Sequence, residues 1–148
     1  MMVAIHNKDL TTKLGRLNMK NFDRTHLAGS YVSKEQPSTI DNPDIKNGFY
    51  DAPTVVAIFS QSDFMFRTAD AFCMAENMVL QATELGIASC IISRGYETFA
   101  QEEGEKLRKM WEVPDNYLCQ CFVILGYING EQPHSKPRKP GRIKIIEN

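Results

Sequence analysis

Apolar and polar positions along the chain switch between two periods, and the switches mark out the elements. Met2 to His6 is a short apolar run. Leu10, Leu14 and Leu17 then fall at i, i+4 and i+7, the spacing of one helical face, with Asp9 ahead of them as the expected N-cap. A strand followed by a helix is predicted. From Asn21 to Asp51 the period dissolves, interrupted by Gly29, Pro37, Pro43, Gly48 and the Ser, Asp and Asn residues between them. This stretch reads as a long connection with one short helical piece. Connections of that length inside a compact domain are usually functional.

Pro53 introduces Thr54-Val55-Val56-Ala57-Ile58-Phe59, β-branched and apolar without alternation, as expected of a central strand covered on both faces. Asp70 to Leu85 reads as a helix. Phe72, Ala75, Val79 and Ala82 make one stripe and Ala71, Met74, Met78 and Leu85 a second, which leaves a narrow polar band at Glu76, Asn77, Gln81 and Glu84. A helix so apolar all round needs cover on several sides, and in a chain this small a second subunit is the expected cover. Gly86 is expected at C′, where only glycine turns left-handed without a Cβ penalty.

Ile87 to Ile92 predicts another buried strand and Ser93-Arg94-Gly95 a turn. Thr98 with Gln101 resembles a capping box opening a helix whose Phe99, Leu107, Met110 and Trp111 share one side, and Pro114 is expected to end it. Tyr117 to Leu125 reads as a further strand, and Ile143 to Ile146 as a short terminal one. Strands and helices alternate, so the predicted class is α/β or α+β, a mixed sheet flanked by helices.

Size and charge narrow this picture. A chain of 148 residues fits a single domain over residues 1–148. A net charge of -1 gives no whole-molecule field that would draw nucleic acid or an anionic membrane, so neither is expected as a partner. No apolar run approaches the roughly 18 residues of a membrane span, and Met1 to Ile5 is too short for a signal peptide core. Cys73, Cys90, Cys119 and Cys121 show neither CxxC spacing nor a disulfide framework and read as reduced core residues. The expected location is the cytoplasm.

Candidate chemistry is sparse. Cys119 and Cys121, two apart on a strand, are expected on one face, but no further ligand at metal spacing stands near them, and no metal site is predicted. His6, His26 and His134 are scattered. GxGxxG, P-loop and GxSxG patterns are absent, and no protein nucleophile or catalytic residue is assigned. The tail differs: Lys136, Arg138, Lys139, Arg142 and Lys144 place five cations within nine residues, stiffened by Pro137 and Pro140. On composition alone a solvated basic segment is the simpler account and a phosphate clamp the sharper one, since an Arg fork beside a Lys point charge suits a phosphate monoester. A nucleic-acid-binding tail is a third reading, although aromatic platforms for stacking bases are absent from it.

Several segments together resemble one family. Asp51-Ala52-Pro53 leading into Thr54 to Phe59, then Asp70-Ala71 and the helix through Asn77, Leu80 and Ala82 to Leu85-Gly86-Ile87-Ala88-Ser89-Cys90, look like the middle of a nitroreductase-family flavoprotein. Lys106-Leu107-Arg108 to Pro114, Val123-Ile124-Leu125-Gly126-Tyr127 and Lys136-Pro137-Arg138 resemble the same family's end, in the same order. The likeness spans residues 51–148 as core and tail, with residues 1–50 a divergent or shortened part.

The resemblance implies an α+β homodimer that binds FMN and passes hydride from NAD(P)H to a nitroaromatic, quinone or similar small acceptor. It implies that the Asp70 to Leu85 helix is the dimer helix. It implies too that Ile91, Ile92, Ser93 and Arg94 lie along the flavin ring, and that Lys136 and Arg138 hold the FMN phosphate. Met2 to Leu17 looks like the strand and helix that follow the family's Arg-rich opening module, which implies a fold truncated at its N-terminus. Gln36-Pro37-Ser38 and Asn42-Pro43 sit too close to Asp51 to stand for that module's Pro-Ser and Asn segment. The alternative is a non-catalytic dimer of the same fold with weak or no flavin binding.

Overall fold

The computed structural model describes residues 1–20, 22, 44–131, 134 and 140–147. In chain order the elements are β1 (Met2–Ile5), α1 (Lys8–Met19), β2 (Thr54–Gln61), α2 (Arg67–Glu84), β3 (Ala88–Ile92), α3 (Gly95–Phe99), α4 (Glu102–Met110) and β4 (Tyr117–Gly126). The strands form one sheet in the order β1-β2-β4-β3. β2 and β3 run in the same direction and are joined through α2, but β4 lies between them. Within the expected α+β class every neighbouring pair is therefore antiparallel. The predicted connection at 21–51 falls largely outside the described residues.

Side-chain alternation sends the two faces of the sheet into different cores. Ile5, Val55, Ala57, Phe59, Phe122 and Ile124 pack with Leu14 and Leu17 of α1, Phe99 of α3 and Leu107 of α4. On the other face Ile58, Cys121 and Val123 meet Ala71 and Ala75 of α2. Val55 to Phe59 are buried without a break, as the unalternating run predicted for a strand covered on both sides.

α2 approaches the sheet mainly through small side chains, with Met78 and Val79 partly buried against the same core. Its fully buried residues are Ala71, Ala75 and Ala82, and burying three methyl groups stabilises by only about 2–3 kcal/mol. Other large side chains look outward, with Leu80 59% and Leu85 63% exposed. The helix ends as expected at Gly86, with φ +69°. Ile87 N–H bonds to Ala82 O at 2.8 Å and Gly86 N–H to Thr83 O at 3.1 Å, the paired closure of a Schellman motif.

Other local expectations are corrected. The N-cap of α1 is Asn7, whose Oδ1 accepts from Leu10 N–H at 3.0 Å, and Asp9 lies in the first turn. The Thr98/Gln101 box does not form, because Thr98 sits inside α3 and its hydroxyl donates to Arg94 O at 2.7 Å. The chain breaks between α3 and α4, which resets the helical phase: Phe99 and Leu107 are buried but Met110 is 65% exposed. Pro114 does not end α4. Glu112 does, at φ 55°, with Val113 N–H on Arg108 O and Glu112 N–H on Lys109 O.

Cys119 and Cys121 occupy opposite faces. Ile58 pairs with Cys121 and Phe59 with Cys119, so Gln120 is an extra residue that shifts the alternation. Cys119 joins the α1/α3/α4 core and Cys121 the α2 core. Ile143, Ile145 and Ile146 form no strand: they are about four-fifths exposed and pair with no described strand. An apolar run becomes a strand only where an edge offers a ladder to its backbone groups.

Candidate functional site

The turn after β3 is the most constrained polar structure among the described residues. Arg94 has φ 64° and ψ 34°, a left-handed conformation that costs a non-glycine residue roughly 1–2 kcal/mol. Its side chain offsets that cost. Nε donates to Asn18 O at 3.0 Å and Nη2 to Lys20 O at 3.3 Å, which satisfies carbonyls at the end of α1, and the guanidinium lies 4.6 Å from the Phe22 ring centroid. Hydrogen bonds from a charged group contribute about 1.5–3 kcal/mol each and an exposed cation–π contact about 0.5–1. A cation at a helix C-terminus also meets the favourable end of the dipole.

Asn18 closes the structure from the other side. It is 3% exposed, and its Nδ2 donates to Ser93 O at 3.0 Å and to Thr98 Oγ1 at 3.1 Å. The buried Thr98 hydroxyl passes the chain of bonds to Arg94 O, and Arg94 returns it to Asn18 O. Gln101 Nε2 adds bonds to Leu17 O at 2.8 Å and Glu97 O at 3.1 Å. The carbonyls of Ser93 and Arg94 are thus engaged, while the N–H groups of Ser93, Arg94 and Gly95 bond to no acceptor among the described residues. The turn presents donors and has its acceptors occupied.

Two glycines make the approach possible. A Cβ on Gly95 would come within 2.8 Å of the Cys119 backbone, so α3 starts this close to β4 only with glycine there. A Cβ on Gly48 would lie 2.2 Å from Asn18 Oδ1, in the space the amide uses. Left-handed geometry falls on Arg94 while the adjacent glycine serves contact. Neither Asn18 nor Thr98 was a candidate on sequence grounds. The available signal was Asn18 itself, a polar residue four positions after Leu14 on the apolar face of α1.

Among the expected site residues, Ile91 and Ile92 end β3, with Ile91 packed toward the α2 core and Ile92 toward the α1/α3/α4 core. Ser93 and Arg94 stand together at the turn, with the Arg94 side chain directed to α1. Lys136 and Arg138 lie outside the described residues. A cavity of about 990 Å³ runs along α1 past Lys13, Arg16, Lys20, Phe22, Lys46 and Glu103, and the turn does not line it. It is a charged, water-facing groove, whereas the turn is where fixed backbone donors stand. His6 Nδ1 pairs with Thr54 Oγ1 at 2.8 Å and has a structural part beside β2. Burial pushes the Cys121 thiol up to about 11 and the Cys119 thiol well above its ordinary value. Both are therefore poor thiolate nucleophiles near neutral pH. Among the described residues no group of three His, Cys, Asp or Glu side chains is placed to hold a metal ion.

The chain's likeness to known proteins points one way. The model of the nitroreductase family matches residues 2–127, beginning well ahead of Asp51. A nitroreductase with bound FMN from Bacteroides fragilis is 28% identical, with a TM-score of 0.76 over 99% of this chain and 75% of that one. An FMN-bound nitroreductase from Desulfitobacterium hafniense (21% identity, TM-score 0.73, 99% and 74% covered) is similar in fold. So is an FMN-dependent nitroreductase from Clostridium difficile (19%, 0.69, 98% and 77%). No curated protein matches the chain.

Proposed function

The chain belongs to the nitroreductase family, and from that premise we propose that it is an FMN-dependent oxidoreductase. In this reading residues 1–148 act as one domain and pair as a homodimer, and hydride passes from NAD(P)H to a nitroaromatic, quinone or similar small acceptor. The observation that carries the reading is the turn at Ser93 and Arg94, whose carbonyls are occupied and whose N–H groups meet no acceptor among the described residues. An electron-rich heterocycle edge needs donors of this kind, fixed in advance.

The residues present fit the cofactor at the ring side. The Ser93 and Arg94 N–H groups would donate to the ring edge, with Ile91 and Ile92 leading the backbone to it. Lys136 and Arg138 would hold the phosphate as a charge-assisted pair. Bound FMN supplies the hydride-accepting and hydride-donating chemistry. The protein's part is to orient the ring and exclude competing solvent, and no protein nucleophile is required.

Gel-filtered protein incubated with FMN is expected to keep the flavin absorbance bands, to bleach when NADH or NADPH is added anaerobically, and to recover colour with a quinone or nitroaromatic. Protein that stays colourless after FMN is added would remove the assignment. Flavin that is retained but never bleached would favour the non-catalytic alternative.

The outward face of α2, with Phe72, Met74, Leu80 and Leu85 exposed, supports the homodimer. Sedimentation velocity is expected to give twice the 16.8 kDa chain mass, and Leu80→Asp a single-chain mass. A wild-type monomer, or an unaltered dimer in the variant, would count against α2 as the interface.

A further inference from the structure

The donors proposed to meet the flavin belong to a turn whose own conformation is unfavourable, and the groups that hold it there come from α1. Resting on the reading above, we propose that Asn18 and the Arg94 side chain are positioning residues that aim the turn's N–H groups at the FMN ring.

A peptide unit is planar and trans, so its C=O and the following N–H point in opposite directions. Asn18 Nδ2 fixes Ser93 O on the α1 side, which turns the Arg94 N–H away from α1. Thr98 Oγ1 fixes Arg94 O and directs the Gly95 N–H likewise. Arg94 locks the assembly by tying its own side chain to Asn18 O and Lys20 O. The bonds form a closed ring from Asn18 to Thr98 to Arg94 and back to Asn18, so no member shifts alone. A left-handed non-glycine residue persists only where its surroundings over-determine it, and this ring does so.

Packing points the same way. Asn18 is buried on the face of α1 that also buries Thr11, Leu14, Gly15 and Leu17, where an apolar side chain would fill the space without needing partners. Gly48 leaves room for the amide. A fully bonded buried amide specifies one arrangement more than it adds stability. At this place the arrangement it specifies is the direction of the donors.

The test uses the full chain with FMN as the probe. In the flavin-free protein, Asn18→Ala is expected to speed hydrogen exchange about tenfold at Thr98 and Ala100, whose N–H groups bond to Arg94 O and Tyr96 O, while β2 and β4 amides are unchanged. FMN binding, followed by fluorescence quenching, should weaken about tenfold. The midpoint potential of the bound flavin should become more negative, because displaced donors stabilise the electron-rich reduced ring less. Arg94→Gly removes the clamp together with the left-handed strain, so it keeps the measurement open if Asn18→Ala does not fold, and the same shifts are expected. Folded variants that bind FMN with unaltered affinity and potential overturn the proposal, even if exchange at the turn is faster. An unmodified chain that takes up no FMN overturns the functional reading and this assignment with it, a failure recognised because it precedes any substitution.

Discussion

Phe122→Ala is expected to destabilise the fold by about 3–5 kcal/mol, the usual cost of emptying a large aromatic site that cannot collapse. Phe122 is fully buried on β4, the strand bonded to both β2 and β3. Its ring centroid lies 4.8 Å from that of Phe49 and 5.9 Å from that of Phe99. Phe99 in turn meets Phe59 at 5.1 Å and Trp111 at 5.8 Å. The cavity would open where the 44–53 segment, α3 and the sheet converge, and Phe99 is already fixed by two other rings. For a chain of this size the loss corresponds to a Tm lowered by about 10 °C. A thermal or urea melt would check it, and a loss below about 1.5 kcal/mol would mean that the ring cluster is looser than described. Phe122→Leu should cost distinctly less, since most of the volume stays filled.

Replacing Lys136 and Arg138 together by alanine is expected to weaken FMN binding by about 3–6 kcal/mol, taking about 1.5–3 for each lost charge-assisted bond. The fold should be unaffected, because the expectation concerns only the phosphate. Riboflavin separates the two halves of the site: lacking the phosphate, it should bind wild type and double variant alike. Titration of both flavins against both proteins makes the comparison. Unchanged FMN affinity in the double variant would detach these residues from the site and leave the turn as its supported part. Raised salt should weaken FMN binding to the wild type more than to the variant, since salt screens the attraction of two cations for the phosphate.

These two expectations draw on different sources of information. The phosphate pair was legible as chemistry in the chain, an Arg fork near a Lys on a proline-stiffened segment, and acquired a role only through family resemblance. The ring cluster was legible one residue at a time. Val55 to Phe59 announced a strand buried on both faces, and Val55 to Phe59 are buried. Gly86 announced a helix stop and supplies the left-handed closure of α2. The stripes of α2 announced a helix needing cover on several sides, and Phe72, Met74, Leu80 and Leu85 do face outward while Met78 and Val79 pack partly on the sheet.

What failed to read failed for identifiable reasons. A bulge at Gln120 depends on how β4 meets β2, so strict alternation placed Cys119 and Cys121 together when they face different cores. Sequence points to glycine for left-handed positions, yet Arg94 and Glu112 adopt that conformation, each held by bonds to residues it follows. The break between α3 and α4 shifted Met110 to the surface. Ile143 to Ile146 has the composition of a strand and pairs with none of the described strands.

By itself the sequence determined the family and the four strands with α1 and α2 in their order, because period, capping glycine and apolar runs are local properties that each segment carries with it. Only the tertiary structure decided that β4 separates β2 from β3, that α2 meets the sheet mainly through alanines, and that the turn at Ser93 and Arg94 is held by Asn18. These are contacts between residues 75 or more positions apart in the turn's case, and no local pattern encodes which distant carbonyl a buried amide will find. The donors that define the proposed flavin site exist because the chain folds back and occupies the opposing acceptors.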